Sequence, residues 1–170
     1  MLRSVTTLLL ALALPAMLSA CGFHLRGAAS ATGLPEGWRQ LYLATGNPNS
    51  EFSRDLQSRF SANGIEWVER SEAAYILVLG PERFSQRNLS INSQARAAEF
   101  ELTMQAQFAV RDKEGNYVIE PADAVVVKQM ENDPRNVVGK AEEIRLIQNE
   151  MREELSRQIL RRIGFHAAAQ

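Results

Sequence analysis

Glu99-Phe100-Glu101-Leu102-Thr103-Met104-Gln105-Ala106-Gln107-Phe108-Ala109-Val110-Arg111 is the stretch on which the fold turns. Phe100, Leu102, Met104, Ala106, Phe108 and Val110 fall on one side, and Glu99, Glu101, Thr103, Gln105, Gln107 and Arg111 on the other. Period two at this length predicts a long strand, with one face on a core and one toward water or a partner. Asp112-Lys113-Glu114-Gly115-Asn116 then forms a hairpin turn with Gly available for positive φ. Tyr117 to Met130 returns as a strand, and Pro121 places its beginning at an edge or bulge.

Upstream, Ala73 to Gly80 is a continuous apolar run bounded by Gly80-Pro81, and its length predicts a strand buried on both faces. Residues 85–94 are polar apart from Leu89 and Ile91 and read as an irregular loop or a frayed hairpin end. Gln40 to Ala44, running into Gly46-Asn47-Pro48, reads as a short strand stopped by a turn. Phe52, Leu56 and Phe60 recur every four positions, which is one apolar helical stripe, with Asn49-Ser50 as N-cap and Asn63-Gly64 as stop. Downstream, Ile144, Ile147, Met151, Leu155, Ile159 and Ile163 step by three and four. Glu142 and Glu143 near the start and Arg161 and Arg162 near the end suit the helix dipole, and Gly164 marks the C-terminus. Val138 to Ile163 spans roughly 39 Å as a helix. The order strand, helix, three strands, helix predicts an α+β two-layer sandwich: two helices packed on one face of a four-stranded, mainly antiparallel sheet. The other sheet face is left as a broad polar surface.

The chain has 170 residues, 45% hydrophobic and 23% charged, as expected of a globular domain. Nineteen basic and 20 acidic residues leave a net charge of −1, which argues against nucleic acid as a partner, since such binding needs a basic surface to release counterions. One cysteine makes no intramolecular disulfide, CxxC pair or Cys-rich zinc site, and two histidines near opposite ends make no metal centre. No metal and no cofactor is expected.

Arg3, the apolar stretch Val5 to Leu14, and the small residues before Cys21 describe a secretory signal peptide, too short to cross a bilayer. Leu18-Ser19-Ala20-Cys21 is similar to the lipobox of bacterial lipoproteins. That resemblance implies a thioether-linked diacylglycerol on Cys21, removal of residues 1–20 and acylation of the new amino terminus. Gly rather than Asp at position 22 implies, by the same resemblance, sorting to the outer membrane. The alternative is a simple secreted protein with a free or intermolecular thiol. Two or three acyl chains hold firmly where one holds marginally. The expected organisation is a cleaved signal peptide (1–20), a lipidated N-terminus and tether (21–37), a single domain (38–165) and a short tail (166–170).

No catalytic constellation stands out: HExxH, GxSxG and GxGxxG are all missing from the sequence. Gly139-Lys140 does not end a phosphate loop, because Pro134 stands where Gly is required and Ala141 where Ser or Thr is required. Glu99 and Glu101 could in principle do acid/base work, but an open strand face does not desolvate carboxylates enough to shift them. These features predict a binding or scaffold protein with no catalytic residues. Arg83, Arg87 and Arg96 flank the loop before the long strand, Lys128 closes the next strand and Lys140 opens the last helix. At one end of the sheet they could form a small cationic patch for phosphate or carboxylate groups.

Cys21-Gly22-Phe23-His24-Leu25-Arg26-Gly27 resembles the start of mature LPS-assembly lipoproteins of the LptE family. Pro48-Asn49, Asn63-Gly64, Ala98-Glu99-Phe100 and Asn132-Asp133-Pro134 extend the resemblance over nearly the whole mature chain. It implies the two-helix, four-strand sandwich, a lipid-anchored place on the periplasmic side of the outer membrane, and a 1:1 complex with the β-barrel LptD. In that complex the lipoprotein plugs the barrel, assists its assembly and takes part in lipopolysaccharide delivery to the outer leaflet. It further implies lipopolysaccharide binding through Lys140, just after Asn-Asp-Pro, and through Arg96, with Arg87 in the same basic group. Phe23 and His24, close to the lipid, are expected partner contacts. An independent periplasmic binding lipoprotein, such as a peptidoglycan-binding or inhibitor module, is the competing reading; a hydrolase would lack a recognisable nucleophile.

Overall fold

The computed structural model describes residues 34–91, 97–131 and 137–169, all in the second of the two units, 1–31 and 32–170, into which the chain divides. After a 3-10 turn at Glu36–Trp38, the described elements are β1 (Gln40–Thr45), α1 (Glu51–Ala62), β2 (Glu66–Trp67), β3 (Tyr75–Leu79), β4 (Arg83–Ile91), β5 (Ala97–Arg111), β6 (Tyr117–Glu131) and α2 (Val137–Ala167).

β5 is the predicted alternating strand, and both its edges are paired. β6 runs antiparallel along one edge from Glu99↔Glu131 to Arg111↔Tyr117. The other edge takes two strands end to end: β3 pairs at Leu79↔Phe108 and β4 at Arg83↔Gln105. Four steps of β3–β4 answer three of β5 there, so the junction is bulged. Gly80 makes the junction possible: its N–H donates to the Gln107 carbonyl at 2.9 Å, and a Cβ would lie 3.2 Å from that oxygen.

The expected four-stranded, mainly antiparallel sheet is corrected to six strands in a mixed sheet. β1 runs parallel to both β2 and β3. The reason is the connection: a helix between two strands carries the chain back to the starting end, so β1 and β3 point the same way. Of residues 85–94, expected as a loop or frayed hairpin end, 85–91 supply most of β4, and 92–94 lie outside the described residues. Its polarity hides it, since an edge strand with little to bury still satisfies its backbone by pairing with β5. β2 has only two residues, too few for a period.

The inner face of β5 is buried as expected, with Phe100 the most exposed at 6%. Phe52, Leu56 and Phe60 of α1 and Met151, Leu155, Ile159 and Ile163 of α2 close the same core. Ser50 caps α1, its hydroxyl accepting the Ser53 N–H at 3.0 Å, and Gly64 at φ +85° ends it. α2 does not stop at Gly164 but continues to Ala167. Ala167 is buried and the His166 ring sits 6.2 Å from Trp38, contacts that offset the roughly 1 kcal/mol cost of an internal glycine. Across the helix pair, the buried Ser156 hydroxyl donates to Asp55 at 2.9 Å and Arg152 joins Glu51 at 2.8 Å; Arg152 also joins Glu82, between β3 and β4, at 2.9 Å. At the outer edge of β6, Gln158 accepts the Val125 N–H at 2.9 Å and Arg162 donates to the Asp123 carbonyl at 2.8 Å.

On the outer face, Arg87 and Glu101 are cross-strand partners joined twice, Nε to Oε1 at 2.5 Å and Nη2 to Oε2 at 3.0 Å. The guanidinium's hydrogen bonds hold the Glu101 carboxyl below its ordinary value. A depressed carboxylate stabilises the fold above its unfolded value, and that contribution is lost as pH falls through the folded value. An NMR titration should therefore find Glu101 protonating below the ordinary glutamate range, and Arg87→Gln should return it to that range. Leu155→Ala removes a fully buried side chain facing the sheet. It should lower unfolding stability by about 2–5 kcal/mol, measured by urea titration.

Candidate functional site

Lys140 and Arg87 reach the same end of β5 from opposite faces. Phe100 faces the helices, and Lys140, in the first turn of α2, holds its ammonium 4.0 Å from the centre of the Phe100 ring. The electron-rich ring face attracts the cation. Two residues further along β5, Leu102 lies opposite Lys128 of β6, whose ammonium forms an ion pair with Glu150 of α2. Arg145 and Glu142 pair within α2 at 2.6 Å, and Arg145's hydrogen bonds hold the Glu142 carboxyl below its ordinary value.

Glu101, adjacent to Phe100, points the other way, toward Arg87. The Glu101 side chain is 18% exposed and that of Arg87 69%, so Glu101 anchors from the sheet an arginine that is itself largely in solvent. Ser90 donates to Glu99 at 2.9 Å beside it. Arg83 also lies on this outer face, opposite Gln105.

The expected patch is therefore divided by the sheet. Lys128 and Lys140 are on the helix side, and Arg83 and Arg87 are on the outer side. One small phosphate cannot touch both faces of a strand, whereas an extended molecule with several anionic groups can wrap its end. Arg96 belongs to the segment between β4 and β5 and lies outside the described residues, as do Cys21, Phe23 and His24. Glu99 and Glu101, weighed as an acid/base pair, are engaged by Ser90 and Arg87. Among the described residues, no group of three or more His, Cys, Asp or Glu side chains is placed to hold a metal ion.

Phe100, Glu101 and Glu150 are the partners that sequence reasoning did not assign. The alternation already put Phe100 and Glu101 on opposite faces where the strand begins, which is the signal for the first two. Glu150 reaches Lys128 from another element, and local spacing carries no trace of that contact.

Residues 38–163 match the family described as LptE: Lipopolysaccharide-assembly. The chain is 27% identical over 164 residues to the LPS-assembly lipoprotein LptE of Photorhabdus laumondii, covering 96% of this chain and 87% of that one. It is 28% identical over 172 residues to the protein of the same name from Yersinia pestis, covering 99% and 80%. The fold is shared with rare lipoprotein B from Shewanella oneidensis, at a TM-score of 0.69 and 24% identity over 76% of this chain and 97% of that one. It is shared too with lipoprotein B from Nitrosomonas europaea, at a TM-score of 0.72 and 21% identity over 86% and 93%. The match takes in all six strands, α1, α2 up to Ile163, Arg87 and Lys140, and the chain thus belongs to the LptE family of lipopolysaccharide-assembly lipoproteins, whose role is non-enzymatic.

Proposed function

We propose that this lipoprotein is held on the periplasmic side of the outer membrane by a diacylglycerol on Cys21 and seats inside the LptD β-barrel as a plug. There it assists the barrel's assembly and engages lipopolysaccharide through Lys140, Arg96 and Arg87. The placement of Lys140 carries the ligand reading: its ammonium lies over the Phe100 ring at the end of the two longest strands. Arg87 presents a guanidinium fork on the other face of that end. Lipopolysaccharide offers several phosphates and carboxylates on one molecule, which suits cations on two faces. The plug reading is supported by the outer face of β5, where Glu99, Thr103, Gln105 and Gln107 offer polar side chains to a polar barrel interior. Phe23 and His24, beside the anchor, are the proposed contacts with the barrel.

Purification in mild detergent should recover this protein with LptD in a 1:1 complex; recovery free of any barrel would favour an independent periplasmic binding module instead. Lys140→Asp and Arg96→Asp should each weaken lipopolysaccharide binding about tenfold, in line with about 1.5 kcal/mol for a lost charged contact. Circular dichroism and the thermal midpoint should stay unchanged. Unaltered binding in both variants would remove the basic end from the mechanism.

A further inference from the structure

Two strands flank β5 toward its Phe100 end, and their outer edges differ. β6 is held at the middle of its edge, where Gln158 accepts the Val125 N–H and Arg162 donates to the Asp123 carbonyl. β4 pairs with β5 along one edge, and among the described residues nothing bonds to the backbone of the other. Arg83 and residues 85–89 are exposed along it. Backbone donors and acceptors on such an edge are met either by water or by another strand.

The open lane beside β4 continues the line of β1. β1 pairs with β3 as far as Thr45↔Leu79 and then turns away toward α1, while β3 gives way to β4 along the same edge of β5. At the head of the lane lies a cavity of about 420 Å³, mostly apolar, lined by Thr45, Asn47, Phe52, Gly80 and Pro81. Glu82 at its rim is bound by Arg152.

Residues 83–91 include two arginines and no acidic residue. Arg87 commits Nε and Nη2 to Glu101, and Ser90 donates to Glu99. Arg83, on the outer face opposite Gln105, has no ion-pair or hydrogen-bond partner among the described residues. A segment that fits this edge therefore brings a carboxylate to Arg83 and an apolar side chain to the cavity. Two copies of this chain do not complement each other there, because each brings arginines and no carboxylate. A closed barrel wall has no unpaired strand to give, so the segment comes from a loop folded into the lumen.

We propose that the outer edge of β4 receives an extended acidic loop segment of the barrel partner, paired backbone to backbone, with an apolar side chain in the cavity beside Phe52. The inference rests on the plug reading above and names what the plug holds.

The test uses the full acylated chain co-expressed with LptD and purified as the complex. p-Benzoylphenylalanine in place of Ser85 or of Gln86, one on each face of β4, should capture on irradiation the same barrel-loop peptide, containing Asp or Glu. Hydrogen exchange over residues 83–91 should be about tenfold slower in the complex than in the isolated chain, the protection given by roughly one net hydrogen bond. Arg83→Glu should reduce capture from position 86 severalfold, and lysine in place of the captured acid should restore it. In a recovered 1:1 complex, no capture, capture of wall strands, of a second copy or of lipopolysaccharide, or unchanged exchange over 83–91 would overturn the edge and leave the plug standing. Recovery of the chain without the barrel would overturn both.

Discussion

A strand that needs a core on one face and a neighbour on each edge constrains everything around it. Phe100 to Val110 supply the apolar face of β5, and the fifteen residues expose more backbone than one hairpin partner can satisfy. β6 covers one edge. The other is covered by β3 and β4 in succession, and the join works because Gly80 lets the backbones approach at Gln107. The parallel β1, the two helices and the core all follow from how β3 is brought to that edge.

The same strand organises the candidate site. Its alternation sends Phe100 toward α2 and Glu101 toward β4, so one dipeptide positions cations on two faces: Lys140 over an aromatic ring, Arg87 in a carboxylate fork. These holds differ chemically. The face of the Phe100 ring attracts the Lys140 ammonium without fixing its orientation. The fork fixes the plane of Arg87 and takes up part of its donor set.

Much of this was legible in the sequence where one period or one cap decides the outcome. The stripe Phe52, Leu56, Phe60, the Ser50 cap, the alternation of β5 and the apolar steps of α2 all declare themselves locally because each buries a face against the core. β4 did not, because an edge strand of polar residues has no burial to imprint a period. Strand direction did not either, since it depends on the path through α1. The Gly164 stop misled because Ala167 and His166 gain tertiary contacts that a propensity argument cannot see. Cationic residues were recognisable by type, but their division between faces depended on a bulge and a register that no short motif encodes.

The long outer margin of β6 would ordinarily invite another chain to add a strand, especially with Val125 and Val127 exposed beside it. Gln158 and Arg162 occupy one backbone donor and one backbone acceptor at the middle of that margin, so an incoming strand would first have to evict two side chains rooted in the core helix. The polypeptide thereby carries its own guard against fibril-like self-pairing.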